Sequence, residues 1–236
     1  MKKNINIKIM LFIAFLIIPQ FAFSQVWINY DNCRDLVNQA LKDELYALTN
    51  NHTSLGYDYA RKKMFSEIDN VNGYVRCVYT GIQIKTSVIP DGNIMNTEHT
   101  WPKSLGAENE PAKSDLNHLF PTDSYTNSKR SSYHFGNVVI VDWGKGGSFL
   151  GKDDENRTVF MPRDDHKGNV ARAMFYFSIR YKKAIPDYEE QVLKQWHKDD
   201  PIDNAEAARN NSVSNYQKKR NPFIDHPEYV DQIEDF

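Results

Sequence analysis

The spacing of apolar residues along the chain predicts several amphipathic helices. Between residues 32 and 49, leucines, a valine and an alanine recur every three or four positions, as on the buried face of a helix. The same spacing predicts further helices over residues 57–68, 168–181, 188–198 and 203–216. We expect the helix over 168–181 to be a core helix, with Arg172 and Arg180 on its other faces.

Short strands are predicted between these helices. Residues 73–80 are rich in Tyr and Val, and residues 93–99 follow a turn at Asp91-Gly92 and stop before Pro102. The apolar run over 136–141 predicts a buried strand, which a loop at 145–147 closes. The chain has no internal repeat and no Pro/Gly-rich linker, so we expect a single, mainly helical α+β domain over residues 25–236.

The first 24 residues have the pattern of an export signal. Three lysines precede or enter an apolar run over residues 9–18, which is too short to span a bilayer comfortably. Small residues at Ala22 and Ser24 then predict cleavage before Gln25. We therefore predict a signal peptide over 1–24 and a secreted or periplasmic protein without a membrane segment in its mature form. The alternatives are an uncleaved anchor and a buried first helix.

Charge and cysteine content limit the classes of function. Without residues 1–24 the chain has 26 basic and 31 acidic residues, a net charge of −5, which excludes a globally basic nucleic-acid binder. Basic residues do concentrate in the middle of the chain, where a local positive surface can form. The two cysteines, Cys33 and Cys77, allow either one disulfide or two buried thiols, and they cannot form a structural zinc site alone.

Five segments in order along the chain carry the most chemical information. They are NTEHTWP (96–102), DLNHLFP (115–121), NSKRS (127–131), GNVARAMFY (168–176) and RNPFIDHPE (220–228). They are spread over residues 96–228, most of the chain after residue 25, and the chain resembles the bacterial endonuclease I family in them. Members of that family are His-Me finger (ββα-metal) nucleases, so the resemblance implies such a core of short strands and one helix.

The resemblance also implies residue roles. His99 corresponds to the general base, and Glu98 and the amide oxygen of Asn127 correspond to metal ligands. The metal expected is Mg²⁺, with Ca²⁺ or Mn²⁺ as alternatives. The implied activity is hydrolysis of phosphodiester bonds in DNA and RNA with little sequence preference, by a protein that we expect to be a monomer.

Elementary chemistry agrees with these roles. Histidine is the side chain whose ordinary pKa is closest to neutral pH, which suits removal of a proton from water. A carboxylate and an amide leave most positions around a hard cation for water and phosphate. Because neighbours on a regular strand point to opposite faces, Glu98 and His99 should lie at a strand end or bulge. Asn127 should come from a helix that begins near Asp123 or Ser124. Spacing alone also allows His99 to be a structural histidine.

Other polar residues near these segments are assigned supporting roles. Arg130 is expected to bind phosphate near the metal as a catalytic residue, and Lys113 and Lys129 are expected to bind substrate. For Lys129 and Arg130 the alternative is a solvated helix face. Asp115 and His118 are expected to orient the residues around the metal, although His118 could touch substrate. Related nucleases often have an arginine between the Glu-His pair and the Asn helix, where this chain offers only Lys103 and Lys113.

Two other classes of function can be compared with a nuclease. A secreted metalloprotease would need a zinc motif such as His-Glu-x-x-His, which the sequence lacks. A non-catalytic nucleic-acid-binding module could keep the fold and lose the activity, but Glu98, His99 and Asn127 are all present. We expect the tail segment over 220–228 to be structural, and Trp101, Trp143 and Trp196 to belong to the core.

Overall fold

The helices account for most of the regular structure between residues 26 and 236, which the computed structural model describes. The predicted signal peptide over 1–24 lies outside these residues. The described α-helices are α1 (Asn38–Thr49), α2 (Tyr57–Lys63), α3 (Ser124–Arg130), α4 (Lys167–Tyr181), α5 (Asp187–Asp199), α6 (Asn204–Gln217) and α7 (Pro222–Asp225). A π-helical turn over Met64–Ile68 extends α2, so the predicted helix over 57–68 is confirmed.

The strands form three small antiparallel sheets. They are β1 (Asn70–Val71), β2 (Tyr74–Arg76), β3 (Gln83–Lys85), β4 (Met95–His99), β5 (Leu119–Asp123), β6 (Ile140–Lys145), β7 (Ser148–Lys152) and β8 (Thr158–Met161). The sheet orders are β1-β2-β3, β4-β5 and β6-β7-β8. This mixture of helices and small sheets agrees with the predicted α+β class.

Helix α4 lies at the centre of the core. Phe175 and Phe177 are fully buried on it, and Phe177 stacks on Trp101 with ring centroids 4.7 Å apart. Arg172 and Arg180, which the sequence places on the other faces of this helix, are buried as well. Their burial is compensated by polar partners, since the Arg172 guanidinium pairs with Glu206 on α6 at 2.6 Å.

The pair of strands β4 and β5 leads directly into α3. Their register pairs Glu98 with Phe120 and His99 with Leu119, so β4 ends at His99. The Asp123 carboxylate caps α3 by accepting a hydrogen bond from the Thr126 backbone N–H at 3.0 Å. The predictions of a strand over 93–99 and of a helix beginning at Asp123 or Ser124 are therefore confirmed.

Two predicted elements differ from the structure. The helix predicted over 32–49 begins only at Asn38, because Asp35 and Asn38 have φ values of 63° and 51°, which interrupt an α-helix. The prediction of a buried strand over 136–141 is wrong. The strand there is β6, at the edge of its sheet, and Val139, Ile140 and Val141 are each more than half exposed. An apolar run indicates a strand but does not say whether anything covers it.

The cysteines and the tail complete the framework. Cys33 and Cys77 are both buried and both free thiols, which decides between the two alternatives that the sequence allowed. In the tail, Phe223 is fully buried and Arg220 pairs with Asp225 at 2.7 Å, in agreement with a structural role.

None of the described helices is long and apolar enough to cross a membrane.

Candidate active site

An open cleft of 570 Å³ lies at the end of β4, beside α2 and α3, and we call it the β4 cleft. Its lining residues come from these elements and from the turns after β4 and α3: Tyr57, Arg61, Asn96, Thr97, Glu98, His99, Pro102, Lys103, Ser104, Asn127, Ser131 and Ser132. The cleft thus brings together Glu98, His99 and Asn127, the three residues that the sequence analysis assigned to the reaction centre.

The end of β4 allows two neighbouring residues to reach one cleft. Glu98 and His99 are the last two residues of the strand, and they are only 2% and 7% exposed. The chain then turns away through Trp101 and Pro102, and Pro102 has no N–H for a further ladder bond. The expectation of a strand end is confirmed, and the β4–β5 register is regular, without a bulge.

Hydrogen bonds leave one oxygen of Glu98 available. Its Oε1 accepts a hydrogen bond from the Tyr79 hydroxyl at 2.9 Å, and the Nε of Arg130 lies at the same distance without an aligned hydrogen bond. Among the described residues, none donates a hydrogen bond to Oε2. Burial raises the pKa of Glu98 to about 7, against the opposing effects of the Arg130 charge and the Tyr79 hydrogen bond.

The hydrogen bond of His99 identifies its basic nitrogen. Nε2 lies 3.1 Å from the backbone carbonyl oxygen of Lys113. A carbonyl can only accept, so Nε2 carries the proton and donates it, and Nδ1 keeps its lone pair. Burial, with a smaller contribution from the imidazole of His118, whose ring centre is 5.5 Å away, lowers the pKa of His99 to about 3. His99 is therefore neutral at pH 7.

The amide of Asn127 is oriented by two acceptors. Its Nδ2 donates to the Asn96 side-chain oxygen at 2.7 Å and to the Thr97 backbone carbonyl at 3.2 Å. Both acceptors belong to β4, so the Asn127 amide packs against the strand that carries Glu98. With the NH₂ group engaged in this way, the Oδ1 atom of Asn127 is the part of the amide that remains for a ligand.

Arg130 lies beneath the cleft and does not line it. The residue is 1% exposed, and its guanidinium donates to the carbonyls of Thr100, at 2.7 Å, and Ser131, at 3.1 Å. It also lies over the Phe135 ring, 4.5 Å from its centre. Together with the approach of Nε to Glu98, these contacts involve all three nitrogens of the guanidinium. In this arrangement Arg130 orients the carboxylate of Glu98 and braces the turn after β4.

The two predicted substrate-binding lysines lie in different places. Lys113 holds His99 through its backbone carbonyl, and its ammonium lies 5.3 Å from the centre of the Tyr57 ring, which lines the cleft. Lys129 does not line the cleft, and its ammonium lies 5.5 Å from the centre of the Tyr125 ring on α3.

The two predicted supporting residues, Asp115 and His118, organise the loop that holds His99. His118 donates from Nε2 to the Ala112 carbonyl at 2.7 Å, and its backbone carbonyl accepts from Thr100 N–H at 2.9 Å. Asp115 is fully buried and accepts hydrogen bonds from Tyr176 and Tyr181 of α4. Neither residue lines the cleft.

Two residues of α2 line the cleft although the sequence analysis did not select them. Arg61 donates from Nε to the Thr97 hydroxyl at 3.3 Å, and its guanidinium lies 5.4 Å from the centre of the Tyr57 ring. The Tyr57 ring is in turn 5.5 Å from the His99 ring. Tyr57 and Arg61 are four residues apart, on one face of α2. Nothing in their spacing relates them to Glu98, so only the tertiary structure reveals them.

The oxygen atoms left open in the cleft fit a small, hard cation. Within residues 26–236 there is no group of three or more His, Cys, Asp or Glu side chains that could hold a metal ion. Glu98 Oε2 and Asn127 Oδ1 are instead one carboxylate and one amide oxygen on adjoining elements. Such a donor set suits a cation that keeps several waters, as Mg²⁺ does, and does not suit a closed zinc site.

The sequence of the chain is similar to those of known nucleases. The chain matches the endonuclease I family over residues 34–228. It is 32% identical to an extracellular ribonuclease of Bacillus subtilis (strain 168), over 91% of this chain and 81% of the relative. It is 34% identical to an extracellular ribonuclease of Bacillus amyloliquefaciens, over 82% and 73%, and 25% identical to a periplasmic deoxyribonuclease of Aeromonas hydrophila, over 79% and 84%. The chain belongs to the endonuclease I family.

Proposed function

We propose that this protein is an exported, metal-dependent endonuclease that hydrolyses phosphodiester bonds in DNA and RNA with little sequence preference. The observation that carries the proposal is the meeting of Glu98, His99 and Asn127 in one open cleft, each with one polar atom left available. The relatives named as ribonucleases and as a deoxyribonuclease support both nucleic acids as substrates.

His99 is the general base in this proposal. Its Nδ1 lone pair can accept a proton from a water molecule that attacks phosphorus, while Nε2 stays bound to the Lys113 carbonyl. A negatively charged phosphate in the cleft would raise the pKa of the imidazole from this low value. This brings the pKa nearer to neutral pH, where proton transfer is most efficient.

Glu98 and Asn127 would hold a divalent cation through Oε2 and Oδ1, with Mg²⁺ the best match and Ca²⁺ or Mn²⁺ as alternatives. When bound, the cation supplies positive charge that offsets the charge developing on the phosphate oxygens. The pair β4–β5 followed by α3 would then be the ββα-metal core. Tyr79 and Arg130 keep the Glu98 carboxylate oriented from below.

Arg61 is the cleft residue best placed to bind the phosphate. Its Nε is engaged with the Thr97 hydroxyl, while the ends of the guanidinium have only a loose 3.9 Å approach to Asp58. Two N–H groups of a guanidinium match two phosphate oxygens. Arg61 thus takes the role of the arginine that related nucleases often have between the Glu-His pair and the Asn helix. Arg130 instead orients the Glu98 carboxylate.

The size and openness of the cleft favour backbone contacts over base reading. Its lining consists mostly of short polar side chains and two flexible cations, Arg61 and Lys103. Contacts to phosphate and sugar position a nucleic acid without reading its sequence. Secretion or export to the periplasm is proposed from the pattern of residues 1–24, and it agrees with the extracellular and periplasmic relatives.

A cleavage assay with a matched variant tests the proposal. Plasmid DNA and an RNA transcript are incubated with the mature protein in Mg²⁺ or EDTA, beside His99→Ala. We expect both substrates to be cut only with metal, and the variant to be slower by roughly 10²- to 10⁴-fold. His226→Ala is the control, because His226 does not line the β4 cleft and should retain activity.

Other outcomes would overturn the proposal. Wild-type protein that binds both nucleic acids and cuts neither would be a non-catalytic binding module. Cleavage that survives His99→Ala undiminished would remove His99 from the role of base. Cleavage in EDTA at the full rate would remove the cation from the proposal.

A further inference from the structure

Tyr125 is an exposed aromatic residue on the helix that carries Asn127. It is 55% exposed, more than any other tyrosine that the structure describes. It precedes Asn127 by two residues on α3, a turn of about 200° around the helix axis at 3.6 residues per turn. Asn127 points to β4, so Tyr125 lies on the outer face of the same helix.

Two lysines and a tryptophan surround the Tyr125 ring. The ammonium groups of Lys129 and Lys145 lie 5.5 Å and 5.9 Å from its centre. The half-buried ring of Trp143 on β6 meets it edge-on, with ring centres 6.1 Å apart. One carboxylate is nearby, because Lys145 also pairs with Asp123 at 3.2 Å. We call Tyr125, Lys129, Trp143 and Lys145 the Tyr125 platform.

The platform takes two of its residues from one face of β6. Trp143 and Lys145 pair with Leu150 and Ser148 on β7 and so lie on the same face, whereas a register shift between Val141 and Trp143 interrupts the alternation before them. Exposed apolar surface flanked by cations is typical of a binding site. Trp143 is thus only partly in the core, unlike Trp101 and Trp196, which are buried as the sequence predicted.

We propose that the Tyr125 platform binds an unpaired base of single-stranded nucleic acid, as part of the substrate site; this inference rests on the proposed nuclease function. The Tyr125 ring would stack on the base, and Lys129 and Lys145 would contact the phosphates on either side. Stacking on aromatic side chains accepts every base, because each base has a π face. A base inside a duplex has both faces covered by its neighbours, so only unpaired bases can use the ring.

Charge and position favour nucleic acid over a protein as the ligand. The two ammonium groups lie within 6 Å of the centre of the exposed ring, so a base and its adjoining phosphates can find an aromatic ring and cations at one place. A helix with its side chains is about 10–12 Å wide. A strand whose scissile phosphate lies beside Asn127 therefore reaches Tyr125 within a few nucleotides.

Binding measured without cleavage tests the inference. A fluorescein-labelled 12-nucleotide oligo-dT and a duplex of equal length are titrated in EDTA with wild type, Tyr125→Ala and Tyr125→Phe, and anisotropy gives the affinities. We expect Tyr125→Ala to lower the ratio of single-strand to duplex affinity about tenfold, the loss typical of one stacked base. Tyr125→Phe should keep the wild-type ratio, because it keeps the ring.

Two controls make the result specific. Tyr74→Ala removes a tyrosine that is 45% exposed on another sheet and should leave the ratio unchanged. A 12-nucleotide strand of abasic sites should bind wild type and Tyr125→Ala equally, because it has no base to stack.

The outcomes separate this inference from the proposed function. If wild type cuts nucleic acid with metal but Tyr125→Ala leaves the affinity ratio unchanged, the platform is not a base site and the nuclease proposal stands. An equal loss for oligo-dT and for the abasic strand would also overturn base stacking. If wild type neither binds nor cuts, the proposed function itself falls.

Discussion

Hydrogen bonds at the residue scale decide which atoms of the site can react. The Asn96 side chain is the best example, because its oxygen accepts a hydrogen bond from the Asn127 amide at 2.7 Å. A carboxamide can rotate by 180° and exchange its oxygen and nitrogen with little change in shape. The contacts with Asn96 and with the Thr97 carbonyl fix the orientation in which Oδ1 can accept a cation. Asn96 is therefore a positioning residue.

Asn96→Ala should weaken cation binding without removing the cation's ligands. We expect the Mg²⁺ concentration for half-maximal activity to rise about tenfold, as is usual when a residue that orients a metal ligand is lost. At saturating Mg²⁺ the rate should recover most of its wild-type value. The measurement is the initial cleavage rate as a function of Mg²⁺ concentration. Asn93→Ala, an exposed change in the turn before β4, is the control.

His166 is a buried histidine outside the cleft whose charge state affects stability. It lies between Phe120, with ring centres 5.0 Å apart, and Tyr79, at 5.9 Å. Burial, with smaller contributions from the charges of four arginines at positions 209, 163, 172 and 76, lowers its pKa from 6.5 to about 3. Between these two pKa values the unfolded chain binds one proton more than the folded chain, so stability decreases as the pH falls below 6.5.

His166→Phe should remove this part of the pH dependence. Between pH 6.5 and 4.5 the wild type is expected to lose on the order of 2 kcal/mol more unfolding free energy than the variant. Above pH 6.5 the difference between the two proteins should be constant. Urea unfolding at a series of pH values measures it. Val159→Ala, a buried change without a titratable group, should keep the wild-type slope, and an equal slope for His166→Phe would contradict the assignment.

At the scale of elements, one carboxylate joins the loop behind His99 to two helices. Asp115 accepts hydrogen bonds from Asn117 in the loop, from Tyr176 and Tyr181 on α4, and from Gln217 on α6. Burial raises its pKa, but nearby imidazoles and these donors lower it to about 2, so the carboxylate stays charged. The loop it anchors supplies the carbonyl that fixes the His99 tautomer.

Asp115→Asn should therefore destabilise the protein. An amide replaces one acceptor oxygen with a donor, so several of these donors lose their partner inside the core. We expect a loss of about 2 to 3 kcal/mol in the free energy of unfolding, measured with urea at pH 7. Asp142→Asn, at an exposed position on β6, should change it by less than about 0.5 kcal/mol. Equal effects of the two substitutions would contradict the role of Asp115.

Local chemistry explains which elements could be predicted from the sequence. The end of β4 and the start of α3 depend on Pro102 and on the Asp123 cap, which act within a few residues, so both were predicted. The burial of Arg172 and the exposure of Val139 depend on what packs against them from distant parts of the chain. For the same reason Arg61 was missed, since it meets the site only through the packing of α2 against β4.

At the scale of the whole molecule, fewer positive charges are exposed than the number of basic residues in the middle of the sequence indicates. The basic residues in the middle of the chain include Arg130, Arg172 and Arg180, which are buried and cannot attract phosphate. The cations that remain near the cleft and the Tyr125 platform are Arg61, Lys103, Lys113, Lys129 and Lys145. The local positive surface is thus small, on a protein whose net charge after residue 24 is −5.

Affinity for single-stranded nucleic acid should accordingly fall steeply with salt, but less steeply than for a strongly basic protein. If about four phosphates are neutralised, the logarithm of the association constant should decrease with the logarithm of salt concentration with a slope of roughly −3. The double variant Lys129→Gln/Lys145→Gln should reduce the slope to roughly −1.5, because two contacts are lost. Anisotropy titrations in EDTA between 50 and 200 mM salt, where the Debye length is on the order of 10 Å, measure both slopes. An unchanged slope in the double variant would show that phosphates contact only the cleft, because counterion release counts every cation that reaches the backbone.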